Sequence, residues 1–259
     1  MNRTLLTATL TVATLAMAKP VTRPVAYSVG PTALEGVLVY DDASKALRPG
    51  LVLVPNWMGV SPANVKQAQD IAGQKYVVLV ADVYGKETRP KSPEEAGKAA
   101  GALKADRKLL RARMGKALET LLAQAKTAPL DPSKVGTIGF CFGGAGALEL
   151  ARSGAAVAGV VTFHGTLSTP TPEDAKAIKG RVLALHGADD PAVTADEVKG
   201  FEDEMRKASV DWTLVKFGGA VHSFTDPDAN TAGRAQFNPK VSKRAFQMMD
   251  EFFADLFGA

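Results

Sequence analysis

Short and nearly continuous hydrophobic runs recur along the chain and alternate with segments of helical periodicity. Such runs are typical of strands that are buried on both faces of a parallel sheet. The predicted strands are residues 36–40, 51–55, 76–83, 135–140, 157–163, 181–186 and 212–217. The predicted helices are residues 63–74, 93–127, 144–153, 172–179, 195–208 and 240–256. This order predicts one α/β domain with a doubly wound, mostly parallel sheet and helices on both of its faces.

The first 18 residues differ in composition from the rest of the chain. Arg3 is followed by an apolar run over residues 5–16 and by Ala16-Met17-Ala18, which offers a small-residue cleavage site. This order is typical of a secretory signal peptide, and a run of about 12 residues is too short to span a bilayer. We therefore expect a signal peptide at residues 1–18, a catalytic domain at residues 19–259, a periplasmic or secreted location and no membrane span in the mature protein.

The charge balance argues against nucleic acid as a partner. The formal net charge is +4, and cleavage removes only Arg3, which leaves +3. The densest basic segment lies in a helical pattern, and its spacing predicts a solvated helix face rather than a binding patch. Its cations are Lys104, Arg107, Lys108, Arg111, Arg113 and Lys116. We expect a monomer that acts on a small molecule.

Cys141, the only cysteine, lies in the segment Gly139-Phe140-Cys141-Phe142-Gly143-Gly144 between a predicted strand and a predicted helix. This arrangement is typical of a nucleophile elbow, in which a sharp turn presents the nucleophile and the flanking glycines leave room for the close chain crossing. A helix N-terminus also favours the thiolate over the thiol. A buried and unreactive cysteine in a glycine-rich turn is the alternative.

Two later loops offer partners for this thiol. Of the three histidines, His222 is the candidate base because it follows the last predicted strand, whereas His164 and His186 end their strands and fit a packing role. Asp189 and Asp190 both precede Pro191, and from composition either could orient the imidazole. The order cysteine, aspartate, histidine is the order of nucleophile, acid and base in α/β-hydrolases.

The segment Asn56-Trp57-Met58-Gly59 follows an early predicted strand and is a candidate oxyanion loop. In α/β-hydrolases one oxyanion donor comes from such a loop and the other is the amide that follows the nucleophile. The candidate donors are therefore the backbone N–H groups of Trp57 and Phe142. Alternatively, the Trp57 side chain serves only as apolar cover for a pocket.

Together these segments resemble the dienelactone hydrolase family over essentially the whole mature chain. The matching segments are residues 56–59, 81–85, 139–144, 186–190 and 218–224. The resemblance implies an α/β-hydrolase fold, a triad of Cys141, Asp190 and His222, and hydrolysis of esters or lactones without cofactor or metal. It selects Asp190 over Asp189. Two positions depart from the family pattern. Asn56 stands where the family has a glutamate, and Lys86, two residues after Tyr84, stands where the family has an arginine. We take Asn56, Tyr84 and Lys86 as candidate substrate-binding residues.

Two other functions remain open from the sequence. A glutamine amidotransferase also has a cysteine at an elbow, but that family places a carboxylate two residues after its histidine, where this chain has Phe224. A degenerate hydrolase that acts as a binding or scaffold protein would keep the fold without the chemistry.

Overall fold

The computed structural model describes residues 20–258, so the predicted signal peptide at residues 1–18 lies outside the described part of the chain. The main strands are β1 (Pro20–Val29), β2 (Thr32–Asp41), β3 (Arg48–Val54), β4 (Val77–Val80), β5 (Leu130–Phe140), β6 (Gly159–Phe163), β7 (Arg181–Gly187) and β8 (Trp212–Phe217). The helices are α1 (Pro62–Ala72), α2 (Pro93–Ala105), α3 (Arg107–Ala123), α4 (Phe142–Arg152), α5 (Ala195–Lys207) and α6 (Pro239–Phe257). Short strands β9 (Asn230–Thr231) and β10 (Ala235–Gln236) form a separate ribbon. Two 3-10 helices span Gln124–Lys126 and Pro172–Ala177.

The main strands form one sheet in the order β1-β2-β4-β3-β5-β6-β7-β8. All neighbours from β4 to β8 are parallel, and the β1–β2 and β2–β4 pairs are antiparallel. The predicted mostly parallel α/β sheet is confirmed. The carboxyl ends of β3, β5, β6, β7 and β8 meet at one edge, which is where ligands bind in open α/β sheets.

Helices cover both faces of the sheet. Side chains of α1 and α6 pack on one face, where Ile71 and Phe253 are buried among strand residues. Helices α2 to α5 pack on the other face, through residues such as Met114, Leu148 and Phe201. Because the central strands are covered on both sides, they read as continuous apolar runs rather than as alternating ones. None of the helices within residues 20–258 is long and apolar enough to cross a membrane.

Strand β1 was not predicted from the sequence. It pairs with β2 along its whole length, from Pro20 opposite Asp41 to Val29 opposite Thr32. Its side chains alternate between exposed and partly covered, and it contains Pro20, Arg23 and Pro24. Proline occurs mainly in edge strands because it has no N–H to donate to a ladder. The strand therefore lacks the continuous apolar run that reveals the buried strands.

The helix predicted over residues 93–127 is two helices that meet at Asp106. The Asp106 carboxylate accepts a hydrogen bond of 2.9 Å from the N–H of Leu109 and so caps the start of α3. The prediction of one solvated basic face here is wrong in part. Arg113 is buried and donates to the carbonyl oxygens of Val83 and Tyr84, and Arg111 forms ion pairs with Glu149 and Asp174.

Candidate active site

Cys141 lies in a strained turn between β5 and α4. Its φ is 55° and its ψ is −120°, a conformation that is costly for a residue with a side chain. Neighbouring glycines allow the turn, because a side chain at Gly143 would clash with the carbonyl oxygen of Val54, and one at Gly139 would clash with Gly143 itself. The N–H of Cys141 donates 3.1 Å to the carbonyl oxygen of Phe163, so the turn is tied to the neighbouring strand. The predicted strand-turn-helix geometry is present.

The structure brings Cys141, His222 and Asp190 into one chain of contacts. The Sγ atom of Cys141 lies 3.0 Å from Nε2 of His222, and Nδ1 of His222 lies 2.8 Å from Oδ2 of Asp190. The other carboxylate oxygen of Asp190 accepts a hydrogen bond of 2.8 Å from the N–H of Ala192, and the residue is buried. Asp189 is exposed and accepts from the N–H of Gly219 instead. Asp190 is therefore the carboxylate that can fix the imidazole tautomer and stabilise an imidazolium.

The same contacts shift the acidity of both reacting groups. Burial lowers the pKa of His222, but the hydrogen bonds and negative charges of Asp190 and Cys141 outweigh it and raise this pKa to about 10. Burial raises the pKa of the Cys141 thiol, but the hydrogen bond and charge of His222 outweigh it and bring the net pKa below its ordinary value. Both directions favour a thiolate beside an imidazolium, which is an activated nucleophile.

The loop that follows β3 is shaped by two asparagines. Oδ1 of Asn56 accepts hydrogen bonds of 3.0 Å from the N–H of Met58 and from Nδ2 of Asn64. The same Asn64 amide donates 2.9 Å to the carbonyl oxygen of Gly59, and Asn64 is buried. The N–H of Trp57 has no acceptor among residues 20–258, so it remains available to a ligand. The asparagine at position 56 thus forms a turn that organises the candidate oxyanion loop.

Tyr84 touches both residues of the predicted oxyanion pair. Its hydroxyl donates 2.9 Å to the carbonyl oxygen of Trp57, and its ring stacks on Phe142 with centroids 5.8 Å apart. Burial raises the pKa of the Tyr84 hydroxyl, so the group stays protonated and keeps donating. The N–H of Phe142, the first residue of α4, lacks an acceptor within its own helix, as at every helix start. Tyr84 therefore couples the positions of the two candidate donors.

Lys86 lies on the loop that follows β4, and its charge already has a partner. Its Nζ atom is 3.1 Å from the carboxylate of Glu35, and about half of the Lys86 side chain is exposed. The loop itself is held by buried Asp82, whose carboxylate accepts hydrogen bonds from the N–H groups of Tyr84 and Gly85 and from Arg89. Tyr84 and Lys86 were predicted from the sequence as candidate substrate-binding residues, whereas Glu35 and Arg89 were not singled out.

His164 and His186 end neighbouring strands beside the three reacting residues. Both are buried, and burial lowers the pKa of each. His164 differs from its predicted packing role because its Nε2 contacts the side chain of Thr225 at 2.7 Å, on the loop that carries His222. No sequence pattern points to Thr225 or to Asn64, since both act through contacts that depend on the fold.

A cavity of about 720 Å³ lies between α1 and α6, directly behind the reacting residues. Phe140, Asn56 and Ser223, which line its inner end, are chain neighbours of Cys141, Trp57 and His222. Ile71, Phe246 and Met249 supply apolar walls, and the charged lining consists of two ion pairs (Lys66 with Asp70, Lys75 with Asp250) together with Asp226 and Asp228. This volume is within the range of small-molecule sites.

No group of three or more His, Cys, Asp or Glu side chains in the described residues 20–258 is arranged to hold a metal ion.

The chain is similar to known proteins of one family. The family model for the dienelactone hydrolase family matches residues 34–257. The solved structure described as m3DLH is 37% identical, superposes with a TM-score of 0.85 and covers 92% of this chain and 98% of its own. A dienelactone hydrolase-like promiscuous phosphotriesterase, P91, from metagenomic libraries is 35% identical with a TM-score of 0.84 and the same coverage. A Synechocystis sp. protein provisionally named a carboxymethylenebutenolidase is 26% identical over 218 residues, which are 79% of this chain and 85% of that protein.

Proposed function

Because the chain belongs to the dienelactone hydrolase family and is a hydrolase, we propose that it cleaves carboxylic esters or lactones through Cys141, His222 and Asp190. The observation that carries the proposal is the continuous contact from Sγ of Cys141 through the His222 imidazole to the Asp190 carboxylate, at 3.0 and 2.8 Å. The family match disfavours the amidotransferase alternative, and the preserved contact disfavours a scaffold role.

The reaction begins from the thiolate–imidazolium pair, in which the proton of the Cys141 thiol has already passed to Nε2 of His222. The thiolate attacks the carbonyl carbon, and the carbonyl oxygen becomes an oxyanion within reach of the N–H groups of Trp57 and Phe142. Collapse of this intermediate breaks the C–O bond, and the leaving alkoxide takes the proton from His222. The acyl group is left on Cys141 as a thioester.

Water completes the cycle. His222 accepts a proton from a water molecule, whose oxygen attacks the thioester carbon through the same oxyanion site. The thiolate leaves as the C–S bond breaks, and the carboxylic acid is released. Asp190 remains ionised throughout and stabilises the imidazolium at each proton transfer. For a lactone the leaving alkoxide stays attached to the acyl group, and the product is a single hydroxy acid.

The pairing of the Lys86 cation with Glu35 favours a substrate without a carboxylate. A carboxylate on the substrate would have to compete with Glu35 for that cation. Tyr84 and Asn56 were candidates for substrate binding, and the side chains of both form hydrogen bonds to the backbone of the oxyanion loop.

Hydrolysis of p-nitrophenyl acetate by the wild type and by Cys141→Ala tests the proposal. We expect kcat to fall by about 1,000-fold or more in the variant, because the nucleophile is lost. We also expect an acetyl adduct on Cys141 in intact-protein mass spectra of acid-quenched wild type. Wild-type turnover by the alanine variant would overturn the assignment of the nucleophile.

A phosphotriester is a second candidate substrate, because the similar P91 structure is described as a promiscuous phosphotriesterase. The same thiolate could attack phosphorus, with the two backbone N–H groups facing the phosphoryl oxygen. Release of p-nitrophenol from paraoxon that disappears in Cys141→Ala would support this activity, and its absence in the wild type would reject it.

A further inference from the structure

His164 bridges the nucleophile side of the site and the loop that carries the base. It follows β6, whose last residue, Phe163, accepts a hydrogen bond from the N–H of Cys141. The side chain of His164 crosses to the other side of the site, where its Nε2 meets Oγ1 of Thr225 at 2.7 Å. Thr225 is itself buried and stands three residues after His222. The His164 imidazole thus joins the end of β6 to the loop that carries His222. The separation of these two segments sets the distance from Sγ of Cys141 to Nε2 of His222.

The ring of His164 also packs directly on the base. Its centroid lies 5.3 Å from that of His222 with an interplanar angle of 65°, and 5.0 Å from that of Phe224 with an angle of 86°. Edge-to-face arrangements at these distances are the preferred geometry of aromatic pairs. This packing restricts the His222 ring to the orientation in which Nδ1 meets Asp190. No comparable contact is made by His186.

The backbone of His164 is strained, with φ at 41° in the left-handed region. The next residue crosses over the start of α4, where the Cβ of any side chain at Gly165 would lie 2.9 Å from Cα of Gly144. The following residue, Thr166, donates 3.2 Å to the carbonyl oxygen of Cys141. Strain of this kind persists only where surrounding contacts impose it, and it is concentrated at active sites.

His164 is held as a neutral ring. Burial, and then the positive charge of His222, lower its pKa well below the ordinary value, and the other titratable neighbour is His186. Nδ1 of His164 is buried without a partner. The contact between Nε2 and the Thr225 hydroxyl is compatible with either neutral tautomer, because a hydroxyl can donate or accept. The ring can therefore hold Thr225 without competing for the catalytic proton.

We propose that His164 is a positioning residue of this site, which holds the His222 imidazole in line with Cys141 through its hydrogen bond to Thr225 and its edge-to-face packing on the ring. The inference rests on the proposed function, because His164 would position His222 for its reaction with Cys141. It explains why a histidine, rather than glycine, occupies a left-handed position, since glycine would relieve the strain but remove both contacts.

Two single variants and their combination test this role. His164→Phe keeps an aromatic ring and loses the hydrogen bond, and Thr225→Val removes only the hydroxyl. We expect each to lower kcat on p-nitrophenyl acetate by about 10-fold with KM within about twofold, because small misplacements of a catalytic group are costly. The double variant should be no slower than the worse single variant, since both remove the same hydrogen bond.

The pH dependence of iodoacetamide alkylation at Cys141 separates positioning from mere stability. We expect the midpoint of the alkylation profile to rise by about half a unit or more in both single variants, as the contact from His222 to the thiol loosens. The control is Thr137→Val, which removes a buried hydroxyl that donates 3.0 Å to the carbonyl oxygen of Val52 and should lower stability without moving the midpoint.

Three results are distinguishable. A wild-type alkylation midpoint at the value of a free thiol would refute the proposed thiolate–imidazolium pair, and the proposed function with it. A lowered wild-type midpoint that stays unchanged in Thr225→Val, together with unchanged kcat, would refute the positioning role alone. If His164→Phe does not fold, Thr225→Val decides, because it leaves the histidine ring and the strained backbone intact.

Discussion

Oδ2 of Asp190 lies 2.8 Å from Nδ1 of His222. The preceding residue, Asp189, makes no such contact and instead accepts a hydrogen bond of 2.9 Å from the N–H of Gly219. The two adjacent carboxylates thus have different partners: Asp190 contacts the base, and Asp189 contacts the turn that precedes it. The pair provides a matched test of the role of the acid.

Asp190→Asn should lower kcat on p-nitrophenyl acetate by about 1,000- to 10,000-fold, because an amide at this position favours the wrong imidazole tautomer and cannot stabilise an imidazolium. The matched control is Asp189→Asn, for which we expect activity within about threefold of the wild type, since its partner is an exposed turn. Comparable losses in both variants would show that the acid acts through loop stability. Steady-state kinetics and thermal melts of both proteins provide the comparison.

The reactivity of Cys141 should follow the proton balance of the Cys141–His222 pair. The thiol pKa lies below its ordinary value of 9.0, so iodoacetamide alkylation of the wild type should reach half of its maximal rate below pH 9.0. In His222→Gln the hydrogen bond and positive charge are lost while burial remains, and burial alone raises a thiol pKa. The midpoint of that variant should therefore lie at higher pH than the midpoint of the wild type. Alkylation rates measured by intact mass give both midpoints, and a variant midpoint at or below that of the wild type contradicts the assigned cause.

Tyr84 should affect turnover more than substrate affinity. Tyr84→Phe keeps the stacking on Phe142 but removes the hydrogen bond to the carbonyl oxygen of Trp57, so the N–H of Trp57 is held less firmly. We expect kcat to fall by about 5- to 10-fold with little change in KM, because the oxyanion forms only after binding. Tyr40→Phe, on β2 and away from this loop, is the control and should leave kcat unchanged. A rise in KM alone would assign Tyr84 to substrate binding instead.

Glu35 should weaken the binding of substrate carboxylates to Lys86. Glu35→Gln removes the partner that lies 3.1 Å from the Lys86 ammonium, which frees the cation for a substrate carboxylate. We expect kcat/KM for the p-nitrophenyl monoester of succinic acid to rise about 2- to 5-fold, as is usual for exposed charge pairs, while that for p-nitrophenyl butyrate stays constant. Adding Lys86→Met should abolish the gain. An equal response of the two esters would exclude Lys86 from the substrate site.

The buried strands and the site loops are predictable from sequence for one reason: each carries a local signal. Continuous apolar runs mark the strands from β3 to β8, and the chain order of Cys141, Asp190 and His222 reflects their positions at the carboxyl edge of one sheet. Composition alone could not separate Asp189 from Asp190. The family resemblance selects Asp190, and the burial and contacts of the two carboxylates agree with that choice.

The missed features depend on contacts between distant parts of the chain. His164 and Thr225 are 61 positions apart, and their contact requires a left-handed residue that no local pattern reveals. Arg113 has the periodicity of an exposed helical residue, yet the carbonyl oxygens of the loop after β4 draw it into the interior. The break at Asp106 carries a weak local signal, since aspartate is a favourable N-cap, but the long apolar periodicity conceals it.

The edge strand β1 affects whether a second copy of the protein can pair with the sheet. An open sheet can be extended by any chain that finds a free row of N–H and C=O groups at its border. Pro20 and Pro24 supply no N–H to such a row, which interrupts its donors in the first half of β1. A second chain that paired there would lack hydrogen bonds at both positions. This half of the border is therefore a poor template for strand addition.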